Sequence, residues 1–68
     1  MHGKIGEVAG QVWQTLKRDG ATALSMLPKK ISGATSEQVM MALGWLAREG
    51  QVDFDNGSKV TRVMIHKR

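Results

Sequence analysis

Ten cations and six acids are spread along 68 residues, and their grouping is the first guide to the chemistry this chain can support. Lys29 and Lys30 are adjacent, while Lys59, Arg62, Lys67 and Arg68 fall in a final stretch without a single acid. With a net charge of +4 and a pI near 10.0, cations placed this way suit a polyanionic partner. The acids offer less. Asp53 and Asp55 would share one side of a strand, about 7 Å apart, a spacing open to a carboxylate pair but more common beside a turn that keeps a strand soluble. The two histidines, His2 and His66, stand far apart in sequence, so a metal or acid/base site would need carboxylates to converge on them. No cysteine is present to build a disulfide framework or a thiolate metal site, and no glycine loop of the phosphate-cradling type occurs. These residues point away from an enzyme, and they call for no cofactor, metal or small-molecule substrate.

The elements that must position the cations follow from periodicity. At this length the chain is expected to be one domain, residues 1–68, whose core must hold the fold without a covalent or metal staple. Ile5, Val8, Ala9, Val12, Trp13 and Leu16 recur at helical spacing and predict an amphipathic helix over about residues 4–18, stopped at Gly20. Gly6 and Gly10 lie inside it, at roughly 1 kcal/mol each relative to alanine. They are read as weakening the helix against burial of its stripe, a close backbone approach being the alternative. Residues 21–24 are enough for one bridge of a third strand. Ser25 is expected to cap a short second helix through Ile31, with Pro28 in its first turn. After the turn "SGAT", Thr35 and Gln38 have capping-box spacing and open a third helix that runs to Glu49 and ends at Gly50.

Asn56-Gly57 is the preferred pair for a two-residue type I′ turn. That turn pairs Asp55 with Ser58, Phe54 with Lys59, Asp53 with Val60 and Val52 with Thr61. Val52, Phe54, Thr61, Val63 and Ile65 then face inward, and Asp53, Val60, Arg62 and Met64 outward, with Arg62 diagonal to Asp53.

The stretch "VMMALGWLAREGQVDF", with "IGEVAGQVW" ahead of it, resembles the small single-domain winged helix-turn-helix family of bacteria and archaea, whose function is uncharacterised. The resemblance runs roughly from Ile5 to Val63 and implies an α+β fold of three helices plus a C-terminal antiparallel hairpin. Winged helices are mostly DNA binders, while many serve as protein-interaction modules. The tip of this wing, Asp55 to Lys59, holds one acid and one base, unlike the strongly basic wings of good DNA readers.

At 100° per residue, Val39, Ala42, Leu43 and Leu46 form the buried stripe of the third helix with Ala47 at its edge, and Glu37, Met41, Gly44 and Arg48 point away from it. Side chains that match base edges are scarce there, being Ser36, Gln38 and Arg48. Glu37 is placed to complement the helix dipole. Lys29, Lys30, Lys59 and Arg62 are the candidate phosphate contacts, the two lysines lying on the helix that crosses the backbone in helix-turn-helix docking. Met41 and Trp45 are the candidate protein contacts, on a strip with Gln38 and Arg48. Trp45 is nonetheless expected to fold over the hairpin and complete the core, and Met41 is left open between exposed and packed. Duplex DNA is therefore the leading partner, for a transcriptional regulator, with a protein partner or a second copy as the alternative. No apolar run reaches 18 residues and no signal-peptide pattern opens the chain, so a cytoplasmic location away from membranes is expected.

Overall fold

Ile5, Val8, Val12 and Leu16 bring one apolar face to a helix, and that helix forms as α1 (His2–Asp19), one turn longer than periodicity alone marks. The computed structural model describes residues 2–57 and 59–66, with side chains from residue 4 onward. Behind α1 come β1 (Thr22–Ala23), a 3₁₀ turn (Leu24–Met26), α2 (Leu27–Lys30), α3 (Ser36–Arg48), β2 (Val52–Asp55) and β3 (Arg62–Ile65). Gly20 ends α1 in the left-handed conformation at φ 79°, its N–H donating to the Leu16 carbonyl at 2.8 Å.

Ser25 does not cap α2. It lies within the 3₁₀ turn, Met26 occupies the cap position, and no side chain bonds there. The chain is already held at this point, because the Leu24 N–H donates to the Thr61 carbonyl at 2.8 Å and carries β1 directly into the turn. Pro28 sits in the first turn of α2, where its missing N–H is not needed.

The third helix is stated locally at both ends. Thr35 Oγ1 accepts from the Gln38 N–H at 3.1 Å, and Gln38 Oε1 accepts from the Thr35 N–H at 3.0 Å, a reciprocal capping box. At the other end Gly50, at φ 73°, donates to the Ala47 carbonyl, and Gln51 donates to the Leu46 carbonyl. This Schellman arrangement satisfies the last carbonyls and turns the chain into β2.

Three strands form one antiparallel sheet in the order β1-β3-β2. Its register differs from the expected one. Val52 pairs with Ile65, Asp53 with Met64, Phe54 with Val63 and Asp55 with Arg62. Neither Asn56 nor Gly57 adopts the positive φ that a type I′ turn requires. The loop is closed by side chains instead. Asp55 Oδ1 accepts from the Gly57 N–H at 2.8 Å, and Thr61 Oγ1 donates to Asn56 Oδ1 at 2.7 Å. The expected partner Ser58 lies outside the described residues, whereas Lys59, Val60 and Thr61 belong to the loop and not to a strand. Because the sum of paired residue numbers moves by an even number, the inward and outward faces survive. Val52 and Val63 are buried and Ile65 and Thr61 partly so, but Phe54 is 42% exposed. The helical layer covers the Val52 end of β2 and stops short of Phe54.

Val8, Val12 and Leu16 of α1 pack against Val39, Ala42, Leu43 and Leu46 of α3, and Leu27, Ile31, Val52 and Val63 close the cluster. Each fully buried leucine or valine is worth about 1.5–3 kcal/mol against leaving it in water. Thr15 and Thr22 are the buried polar residues among those described. Thr15 Oγ1 donates to the Gln11 carbonyl at 2.8 Å and Thr22 Oγ1 to the Gly20 carbonyl at 3.0 Å.

Candidate nucleic-acid interface

With its stripe of Val39, Ala42, Leu43 and Leu46 buried, α3 presents three surfaces. On the wing side, Ser36 and Met40 line a cleft with Ser25 and Pro28 from the start of the helix-turn-helix and with Lys59, Val60 and Thr61 from the hairpin loop. Directly outward stand Glu37, Met41, Gly44 and Arg48, all exposed. On the α1 side, Trp45 and Leu46 line a shallow groove with Gly6, Ala9, Gly10 and Trp13.

The structure thus joins Lys59 and Ser36 across one cleft, while Lys29, exposed on α2, follows the cleft residue Pro28 in sequence without lining the cleft itself. Arg48 lies at the far end of α3, about 18 Å along the axis from Ser36 at 1.5 Å per residue. Among the described residues, Lys29, Arg48, Lys59 and Arg62 take part in no ion pair. Arg62 is separate from the cleft. The observed register sets it directly across from Asp55 and keeps it diagonal to Asp53, as expected, so the facing carboxylate offsets part of its charge. Lys30 is drawn away as well, its Nζ lying 3.0 Å from Asp19 Oδ2. The same carboxylate takes both Nε and Nη2 of Arg18, at 2.9 and 3.1 Å. The Arg18 hydrogen bonds, followed by that of Lys30, hold the Asp19 carboxyl well below the usual carboxylate range, and Asp19 in turn raises Arg18. Gln38 is partly spent, since its carbonyl oxygen serves the capping box. Lys67 and Arg68, which carry half of the basic excess of the last segment, lie outside the described residues.

Trp45 does not complete the core beneath the hairpin. It is 49% exposed and leans toward α1, because its position on α3 falls roughly 110° from the centre of the buried stripe. Met41 is 57% exposed and Met40 39%. Both tryptophans of the chain therefore border one groove, and Lys17 Nζ sits 5.1 Å from the Trp13 ring. A Cβ built at Gly6 or Gly10 meets nothing within 4 Å, so no backbone approaches these glycines within the chain and the alternative of a close approach fails here.

Several partners escaped the sequence reading. Val60 of the hairpin loop meets Ser25 of the 3₁₀ turn and Pro28 of α2 in the wing-side cleft, a meeting that no local pattern announces. Trp13 shares a strip with Gly6, Gly10 and Lys17 at i, i+4, i+7 and i+11, and angles on α1 alone would have exposed it. Lys4 Nζ donates to the Gly33 carbonyl at 3.0 Å, tying α1 to the turn before α3. His66 Nδ1 comes 2.7 Å from Asp53 Oδ2, a carboxylate meeting that the expected register would not give. The pair is exposed, and no third histidine or acid joins it as a metal ligand among the described residues. Among those residues, too, no helix is long and apolar enough to cross a membrane.

A short helix, a turn and a second helix packed on α1, flanked by a three-stranded sheet with its hairpin beside the second helix, define a winged helix-turn-helix domain. Residues 1–65 match the family described as Winged helix-turn-helix domain (DUF2582), and the chain belongs to that family. It is 44% identical over 54 residues to an uncharacterized protein, MJ1608, of Methanocaldococcus jannaschii, covering 76% of each chain. The solution NMR structure of protein BT2368 from Bacteroides thetaiotaomicron superposes with a TM-score of 0.80 at 26% identity, over 94% of this chain and 77% of that one.

Proposed function

We propose that this domain binds duplex DNA in a regulatory role in the cytoplasm, by seating α3 in the major groove with the hairpin loop alongside. The observation that carries the reading is the convergence of Lys59, Ser36 and Met40 in one cleft within a helix-turn-helix whose first helix exposes Lys29. Lys29 and Lys59 contact phosphates, Ser36 lies at the entering end of α3, and Arg48 contacts the duplex farther along. Gln38 contributes through its amide nitrogen. Lys30 and Arg62 are auxiliary, because Asp19 and Asp55 compete for them. No catalytic step is assigned to the chain.

Titration with random-sequence duplex at several salt concentrations tests this. With Arg48 counted beside Lys29 and Lys59, three phosphate contacts give log affinity a slope near −2.7 against log salt, at about −0.9 per phosphate. Lys59→Ala is expected to flatten that slope by roughly 1, and Lys30→Ala by less. Absence of binding to any duplex at low salt would refute the reading.

A second reading is favoured by a separate observation, the exposure of Met41 and Trp45 at 57% and 49%. A protein partner or a second copy would use them as an anchor, since tryptophan dominates interface energetics and methionine adapts to varied surfaces. Sedimentation of the protein beside Met41→Glu tests it. Association lost in the variant with an unchanged thermal midpoint supports the interface, and a strict monomer that captures no partner counts against it.

A further inference from the structure

The outer face of α3 is poor in groups that read base edges by hydrogen bonding. Between Glu37 and Arg48, about 16 Å of helix, the positions turned to the front or to the wing are Met40, Met41 and Gly44. Two thioether side chains, 39% and 57% exposed, thus occupy the segment that would lie over the bases. Gly44 adds a second peculiarity. A Cβ there meets nothing within 4 Å, so alanine would fit and would favour the helix, yet the backbone is left bare. A bare helix backbone admits close approach by another surface.

Donors and acceptors make up the major-groove edges of all the bases, and the one apolar group among them is the C5 methyl of thymine. Resting on the DNA-binding reading above, we infer that the outer face of α3 selects thymine-rich duplex by packing Met40 and Met41 against thymine methyl groups, with Gly44 letting the helix reach groove depth. Charge complementarity favours this occupant. Lys59 on the wing side of the apolar segment, Lys29 exposed on the preceding helix α2 and Arg48 at the far end of the segment take part in no ion pair among the described residues, so cations are available at both ends of the segment for the phosphates that flank the bases. Glu37 is the acid of this face, and the base-edge group that matches it is a cytosine amino group at the border of the thymine run.

Fluorescence anisotropy with four duplexes of equal length tests the inference: alternating A·T, the same duplex with uracil for thymine, alternating G·C, and the same with 5-methylcytosine. Their phosphate charge is identical, so the electrostatic contribution cancels in the comparison. Loss of the thymine methyls is expected to weaken binding roughly fourfold per methyl contacted, the value of burying one such group, or roughly fifteen- to sixtyfold for two or three. The methyl on cytosine is expected to strengthen G·C binding by a similar factor, which separates a methyl contact from a change of duplex shape. In the double variant Met40→Ala/Met41→Ala, whose fold circular dichroism verifies, both differences collapse. Gly44→Ala is expected to raise the thermal midpoint while weakening A·T binding. Equal affinity for the thymine and uracil duplexes, with binding that still falls as salt rises, overturns the methyl reading and leaves DNA binding standing. Discrimination that persists in the double variant overturns it too. Salt-dependent binding to none of the four removes both readings together.

Discussion

Replacing Gly6 and Gly10 by alanine is expected to stabilise the protein. Both lie well inside α1, both are exposed, and an added Cβ meets nothing within 4 Å at either site. The substitution therefore leaves the folded packing unchanged and acts through helix propensity, together with the lower backbone freedom of the unfolded chain. Each replacement is worth about 0.5–1 kcal/mol, so the pair gives roughly 1–2 kcal/mol. In a domain of this size 1 kcal/mol moves the thermal midpoint by roughly 4–8 °C, which places the double variant roughly 4–16 °C above the parent. Thermal melts followed at 222 nm and urea titrations check it together. The urea midpoint should rise at constant slope, because the surface exposed on unfolding is hardly altered. An unchanged or lower midpoint refutes the reasoning. It would mean that another surface, such as a second copy, already occupies the groove between the two tryptophans.

Thr35→Ala removes the hydroxyl that receives the Gln38 N–H and is expected to cost about 1 kcal/mol, read as a lower urea midpoint. In a Trp13→Phe background, acrylamide is expected to quench the emission of Trp45 efficiently, as its 49% exposure requires, and shielded emission would show the side chain packed. Asp19 links α1 to α2, and its folded carboxyl is depressed below the unfolded value of about 3.9. Its contribution is thus fully present above about pH 4 and is lost as pH falls through the depressed folded value. The stability gap between the protein and Asp19→Asn is expected to be constant near neutrality and to narrow below pH 4.

The parts of the fold that were legible in the sequence are those decided within four or five residues. The capping box at Thr35 and Gln38, the glycine stops at residues 20 and 50, and the buried stripe of α3 depend on local spacing, and all three stand in the structure. The hairpin was misread because Asn56-Gly57 states a preference that tertiary bonds override. Asp55 and Thr61 close a wider loop with their side chains, which brings Ile65 against Val52 and lets the His66 N–H reach the Gln51 carbonyl at 2.9 Å. The candidate site was legible as a set of residue types and not as a grouping. Nothing at positions 29 and 30 tells that one lysine takes part in no ion pair among the described residues while the other is bound to Asp19, eleven residues earlier in the chain. Trp45 could be placed on a shoulder of α3 by angle, but the side it leans toward was set by the packing of α1.

The strand order also bears on how the protein is made. The central strand of the sheet is β3, the last element described, while β1 and β2 flank it. During synthesis β1 and β2 leave the ribosome before the strand that pairs with either of them, and Val63, fully buried against α1, arrives later than every other fully buried core residue among those described. A nascent chain that has not reached Arg62 holds two strands with unpaired edges and an open core, the features that expose intermediates to aggregation. Brevity tempers this hazard: β1 has two residues, and β2 has four, two of them aspartates that discourage edge-to-edge pairing with a neighbouring nascent chain.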